Sequence, residues 1–188
     1  MNGMLSALAY EGLQAFAQGH VPVVKVASET VAGIDPDLTF LVRCASHFER
    51  PFTLLEVQSE LPLHLILAYT TDNVEQPVTA LGFALSADEA LKQALTSLVG
   101  QLQYLKYEGT RPALDENAIP RIALSPDLIN SDTVSNGRST PDVSFEQVKQ
   151  YLQEQGRKAL FINLTTSDFW EKGPLMSGTV LLTRGTTS

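Results

Sequence analysis

The spacing of apolar residues along the chain predicts four amphipathic helices. In the longest, apolar side chains recur every three or four positions and so line one face of a helix. Capping residues mark where helices begin, because Ser and Asp side chains accept hydrogen bonds from the free N–H groups of a first turn. The expected helices cover residues 3–17, 36–47, 86–106 and 144–155.

Runs of bulky and β-branched residues predict strands between these helices. The expected strands cover residues 21–26, 52–58, 61–72, 78–85, 158–165 and 177–184. Most of them are apolar on both faces, which is typical of a sheet that helices cover on both sides. We therefore expect an α/β or α+β fold, with a mixed sheet and covering helices, rather than a sandwich.

The pattern also suggests how the chain is organised. A length of 188 residues fits one domain. Residues 109–143 contain four prolines and the polar tract INSDTVSNGRST, so we interpret them as an insertion or lid loop, with a surface loop of no special role as the alternative. Residues 1–108 would then form the main core, and the helix and two strands of residues 144–188 would complete the same domain.

Composition and charge narrow the classes of function. The formal net charge is −8 and lysines and arginines do not cluster, which argues against nucleic-acid binding. No apolar run approaches the roughly 20 residues that span a bilayer, and we expect no export signal at the N-terminus. Cys44 is the single cysteine, so we expect no internal disulfide and a cytoplasmic location.

Several kinds of chemistry find no support in the sequence. The three histidines, His20, His47 and His64, show no zinc-ligand spacing with one another or with Cys44. No Ser, His and Asp set can be ordered into a triad, and no Gly-x-x-x-x-Gly-Lys motif is present.

The segment LGFALSADEALKQALTSLVGQLQYLKY (residues 81–107) resembles a signature of the YcaO family, whose members use ATP to modify peptide backbones. In that family a glycine-containing strand precedes a helix whose sequence contains Ala-Leu and, a few residues later, Ala-Leu-Thr-Glu. The order of helices and strands is also similar, and the C-terminal Asn163-Leu164-Thr165 resembles the family's closing Asp-Leu-Thr. Together these similarities cover about two-thirds of the chain.

The resemblance implies ATP and Mg²⁺ as cofactors, held by acidic residues on two helices. It points to four candidate cofactor-binding residues here, Glu11, Ser97, Gln101 and Arg184, of which Glu11 is also the candidate metal ligand. The chain departs from the family at these places. Its first helix offers one glutamate where the family has a Glu-x-x-Glu-Arg pattern, and Ser97 stands where the family has a glutamate.

Each candidate has a structural alternative. Glu11 could be a solvated or structurally paired carboxylate, and Ser97 could bond back to its own helix. Gln101 or Gln103 would replace the family's glutamine, which Gly100 has displaced, only through a shift of register. Arg184 could contact a phosphate or simply face the solvent.

We therefore hypothesise a degenerate YcaO-like protein of ribosomal-peptide modification, in which relatives form azolines or thioamides. With most of the expected carboxylates missing, we favour a non-catalytic subunit or half-domain whose partner is a precursor peptide or another protein, with a homodimer left open. One alternative is a scaffold without nucleotide that captures a peptide on an exposed strand edge. The other is one half of a split active cyclodehydratase.

Overall fold

A computed structural model gives the architecture of residues 2–70, 78–108, 134–135, 141–163 and 178–183. The helices are α1 (Asn2–Ala17), α2 (Ser28–Ala32), α3 (Pro36–Ser46), α4 (Ala87–Glu108) and α5 (Phe145–Glu154). The strands are β1 (Val23–Val26), β2 (Phe52–Val57), β3 (His64–Thr70), β4 (Thr79–Ala84), β5 (Val134–Ser135), β6 (Ala159–Asn163) and β7 (Gly178–Leu182). Within the described ranges, none of the helices combines the length and apolar character that crossing a bilayer would require.

The main sheet is mixed and has five strands in the order β4-β3-β2-β1-β5. Strands β1 to β4 pair antiparallel with their neighbours, whereas β5 pairs parallel with β1. β5 belongs to the segment that we interpreted as an insertion or lid, most of which lies outside the described residues. The two C-terminal strands, β6 and β7, form a separate antiparallel sheet.

Helices cover the main sheet on both faces. On one face α3 and α4 pack on a core that includes the strand residues Leu54, Ile66, Ala68 and Ala80. On the other face α1 and α5 pack on a second core that includes Leu55, Leu65, Leu67 and Tyr69. Every residue of β3 is buried, because its side chains alternate between the two cores. The expected α/β or α+β class, with a mixed sheet and covering helices, is confirmed.

The start of α3 matches its predicted cap. The Asp35 carboxylate accepts a hydrogen bond from Leu38 N–H at 2.9 Å, and Pro36 opens the helix. Lys92 on α4 lies 2.9 Å from the same carboxylate and lowers the pKa of Asp35. This ion pair therefore joins α3 to α4 on their shared side of the sheet.

The predicted ends of α5 are also present. Ser144 Oγ accepts a hydrogen bond from Gln147 N–H, and Ser144 N–H donates to Gln147 Oε1, which completes a capping box. At the other end Gly156 has a φ of 61°, in the left-handed region that favours glycine after a helix.

Three elements differ from the sequence prediction, and one of them is β5, a two-residue strand within the segment expected to be a loop. The short helix α2 was not expected, because one turn is too short to show a helical period. β3 begins at His64 rather than at residue 61. Cys44 lies on α3 and is partly buried against the first core, as a small apolar residue would be.

Candidate functional site

Glu11, the candidate metal ligand, forms an ion pair with Arg157. Arg157 Nη1 donates to Glu11 Oε2 at 2.7 Å, and Nη2 donates to Oε1. The third donor of the guanidinium, Nε–H, binds the carbonyl oxygen of Thr183 at 3.0 Å. The paired carboxylate raises the pKa of Arg157, so the side chain stays charged. Both oxygens of Glu11 thus have a fixed cationic partner.

The backbone around Arg157 holds this side chain in place. After the left-handed Gly156, Arg157 N–H donates to Leu152 O at 2.8 Å, which turns the chain back from α5. The next residue, Lys158, donates its N–H to Thr183 Oγ1 at 2.8 Å and so begins the pairing of β6 with β7. Arg157 is therefore fixed between the end of α5 and the small sheet.

The candidates Ser97 and Gln101 lie together on α4. Gln101 Nε2 is 3.5 Å from Ser97 Oγ and donates to the carbonyl oxygen of Thr79 at 3.0 Å. Eight residues earlier on the helix, Gln93 Oε1 accepts a hydrogen bond from Phe83 N–H at 3.2 Å. Eight residues of a helix span about 12 Å, and four residues of a strand span about 13 Å. The spacing between Gln93 and Gln101 on α4 therefore matches the spacing between Phe83 N–H and Thr79 O on β4.

These amides occupy the outer edge of the main sheet. β4 is the last strand on that side in the described sheet order, and an exposed edge invites pairing with another chain. Gln93 and Gln101 satisfy two of its outward backbone groups from within the chain. Sequence reasoning had considered Gln101 only as a cofactor contact and had not singled out Gln93.

The structure does not bring the three described candidates together. Ser97 and Gln101 belong to α4, which packs on one face of the main sheet. Glu11 belongs to α1, which packs on the opposite face. Arg184 lies outside the described residues, so its predicted role stays a prediction.

The described residues do not fit a magnesium–triphosphate group. Mg²⁺ needs several oxygen ligands in a nearly octahedral arrangement. The Glu11 oxygens already bind Arg157, and the other two described candidates lie across the sheet. In the described part of the chain no three His, Cys, Asp or Glu side chains converge as a metal site would need. We therefore derive no catalytic step through Mg²⁺ or ATP here.

A depression of about 510 Å³ lies beside the start of α3. Its lining residues are Gly33, Ile34, Asp35, Pro36, Thr39, Phe40 and Arg43. The carboxylate of this lining already caps α3 and binds Lys92. None of the three described candidates, Glu11, Ser97 and Gln101, belongs to the lining, so the depression is separate from them.

The small sheet carries a different feature, an exposed apolar strand. Leu160, Phe161 and Ile162 of β6 are 51%, 58% and 42% exposed, and Leu181 of β7 is 50% exposed. Consecutive residues of a strand face opposite sides, so β6 is apolar on both. Among the described residues β6 pairs with β7 alone.

Comparison with known proteins shows which solved structures have a similar fold. No protein-family model matches the sequence, and no curated protein matches it. Solved structures do match over nearly the whole chain. A heterocyclase in complex with substrate and cofactor aligns with a TM-score of 0.61 and 16% identity, covering 95% of this chain and 25% of that one.

Two further solved structures have similar folds. YcaO from Methanopyrus kandleri, bound with AMPPCP and Mg²⁺, aligns with a TM-score of 0.60 and 15% identity, covering 100% of this chain and 51% of that one. The E. coli microcin synthetase McbBCD complex with pro-MccB17 bound aligns with a TM-score of 0.52 and 16% identity, covering 97% of this chain and 48% of that one.

The chain therefore has the fold of the YcaO-like heterocyclases, and the resemblance read from the sequence is confirmed at the level of the fold. It spans only about a quarter to a half of the length of these structures.

Proposed function

We propose that this chain serves the ATP-dependent backbone modification of ribosomally made peptides, azoline or thioamide formation, as a non-catalytic subunit or half-domain. Its fold supports the link to peptide modification, because the solved structures that share it include a heterocyclase bound to substrate and a microcin synthetase bound to pro-MccB17. The observation that carries the non-catalytic role is the engagement of both Glu11 oxygens by Arg157.

The physical reason is electrostatic. Activation of an amide oxygen by ATP builds negative charge, which a bound metal ion and fixed polar groups must stabilise. Glu11 is the acid that the resemblance offers on the first helix, and Arg157 already neutralises it. A divalent cation would have to displace a guanidinium that is itself anchored to Thr183 O.

The proposed partners are a precursor peptide and a protein that provides the rest of the machinery. One of the solved structures with this fold is a synthetase complex with pro-MccB17 bound, which supports action beside another polypeptide. The split active enzyme stays an alternative, in which the partner would supply the carboxylates. We place the assembly in the cytoplasm, where a chain with a single cysteine needs no oxidising environment.

The second candidate function is a scaffold that captures an extended peptide without nucleotide. The exposed apolar residues of β6 favour it, because an added strand gains backbone hydrogen bonds and pockets for alternate side chains. The edge of β4 is less suited to this role, since Gln93 and Gln101 already bind two of its backbone groups.

One experiment separates these functions. The purified chain is mixed with a fluorescent peptide rich in Cys, Ser and Thr, with and without ATP and Mg²⁺, and both fluorescence anisotropy and product mass are measured. The non-catalytic proposal predicts no loss of water from the peptide when the chain acts alone. Dehydrated peptide from the isolated chain would overturn it.

Peptide binding and the addition of a second polypeptide test the two alternatives, the scaffold and the split enzyme. Nucleotide-independent peptide binding that Phe161→Ser weakens would favour the scaffold on β6. Lys158→Ser is the matched control, because it changes the exposed residue just before β6 without altering the apolar faces of the strand. Dehydration that begins only after a second polypeptide is added would favour the split enzyme.

A further inference from the structure

A buried histidine joins three parts of the chain. His64, at the start of β3, is 3% exposed. Its Nδ1 lies 3.4 Å from Oε1 of Glu56 on β2, and its Nε2 lies 3.3 Å from the carbonyl oxygen of Pro141. Glu56 is also buried, so the contact between the two side chains lies inside the protein.

These contacts constrain the protons on the ring. A neutral imidazole carries one N–H and leaves its other nitrogen as an acceptor. A backbone carbonyl and an ionised carboxylate can only accept, so both contacts form together when both ring nitrogens are protonated. The geometry therefore favours an imidazolium between Glu56 and Pro141.

The surrounding charges act in the same direction. The hydrogen bond to Glu56 is the main cause that raises the pKa of His64, and it outweighs the opposite effect of burial. The Pro141 carbonyl and the Asp142 carboxylate raise this pKa further. Among the described residues, the titratable groups that raise the pKa of His64 include Glu56 from β2 and Asp142, which follows Pro141.

The contact of His64 Nε2 with Pro141 involves a short segment that connects β4, β3 and α5. We call residues Pro141–Val143 the strap. Val143 N–H donates to Leu85 O at 2.7 Å, and the next residue, Ser144, caps α5. The strap is therefore attached to the end of β4 by Val143 and to the start of β3 by His64, just before the helix that leads to Arg157.

We propose that His64 is a proton-dependent clamp, which holds the strap as an imidazolium and releases Pro141 when it loses one proton. The retained proton stays on Nδ1, because a charged acceptor binds a donor more strongly than a carbonyl does. The lone pair of Nε2 would then face the Pro141 carbonyl oxygen, and this contact would be lost.

The direction of the pH effect follows from linkage. The pKa of His64 is higher in the folded state than in the unfolded chain, where it is about 6.5. The stabilisation by the clamp is therefore complete below about pH 6.5 and is lost as the pH rises through the folded-state pKa. Alkaline pH should loosen the strap before it affects the buried strand β3.

The test uses the whole chain labelled with ¹⁵N-histidine. Long-range ¹H–¹⁵N spectra between about pH 6 and 9 report the protons on each ring nitrogen, and the exposed His20 and His47 provide reference signals. We expect both nitrogens of His64 to carry protons at about pH 6, and the ring to lose its second proton at a higher pH than an unperturbed histidine would. Across its titration the hydrogen-exchange protection of Val143 N–H should fall about tenfold, as for the loss of one hydrogen bond from a charged donor, while Ile66 is unchanged.

Two variants sharpen the test. Glu56→Gln keeps the shape of the acceptor but removes its charge, so His64 should lose its second proton at a lower pH. Glu154→Gln, which removes an exposed carboxylate bonded to Gln150, should leave the titration unchanged. A neutral ring at about pH 6 whose Nδ1 accepts a hydrogen bond from a protonated Glu56 carboxyl would overturn the proposal, as would constant Val143 protection. If the first variant does not fold, the spectra of the native chain alone decide.

Discussion

Replacing Gly82 with alanine should destabilise the protein by about 3 kcal/mol or more, because α4 lies directly on the backbone of β4 at this point. A Cβ atom on Gly82 would lie 1.9 Å from the carbonyl oxygen of Ala90 and 2.6 Å from the backbone nitrogen of Ala94. Neither atom is on a flexible side chain, so the helix itself must move away. That movement would also strain the hydrogen bonds of Gln93 and Gln101 to β4.

Gly100→Ala, on α4 itself, is the matched control for Gly82→Ala on β4. Nothing lies within 4 Å of a Cβ atom at Gly100. Alanine is the better helix former, so this change should stabilise the protein by about 0.5 kcal/mol. Urea unfolding followed by circular dichroism gives both values. Equal effects of the two substitutions would contradict the close contact between α4 and β4.

Replacing Arg157 with alanine should cost about 2 kcal/mol, the second-largest effect that we expect. The change removes the hydrogen bond to Thr183 O and both donors to Glu11. Since the Glu11 side chain is 38% exposed, water screens part of its interaction, and we expect a coupling of only about 1 kcal/mol between the two side chains. A double-mutant cycle with Glu11→Gln, measured by urea unfolding, isolates this coupling.

Arg157→Lys tests whether geometry or charge is responsible. Lysine keeps the positive charge but cannot bind both carboxylate oxygens and the Thr183 carbonyl as a planar guanidinium does. It should therefore recover less than half of the lost stability. Full recovery by lysine would show that the positive charge alone is responsible. An Arg157→Ala variant as stable as the native chain would show that this ion pair does not hold α1, α5 and β7 together.

Local chemistry made much of the fold predictable from the sequence. The caps at Asp35 and Ser144 and the helix end at Gly156 depend on atoms within a few residues, so their residue types suffice to indicate them. The long apolar run of β3 indicated a strand covered on both faces, and the structure places it between the two cores.

The candidate site was less predictable because its contacts are distant in sequence. Glu11 and Arg157 are 146 residues apart, and no local pattern indicates that a residue after α5 will reach α1. The sequence did leave open that Glu11 is structurally paired, and this is the arrangement in the structure. Gln101 illustrates a second limit, since its partner is a backbone carbonyl, which every residue carries.

The strand β6 shows that one apolar sequence pattern is compatible with two different positions in a fold. A run such as Ala159–Asn163 is typical of a strand inside a large sheet. In the structure it pairs with β7 in a small sheet and exposes apolar side chains on both faces. Sequence alone cannot distinguish the two arrangements, because both require the same apolar residues.

Isothermal titration calorimetry with ATP and Mg²⁺ tests the central claim most directly. We expect no saturable heat of binding to the isolated chain at millimolar nucleotide, because Arg157 already binds the Glu11 carboxylate and the described residues offer no metal cage. Ser97→Glu should give the same result, since its new carboxylate would lie across the sheet from Glu11. Clear one-site binding of Mg²⁺–ATP to the native chain would contradict a non-catalytic role.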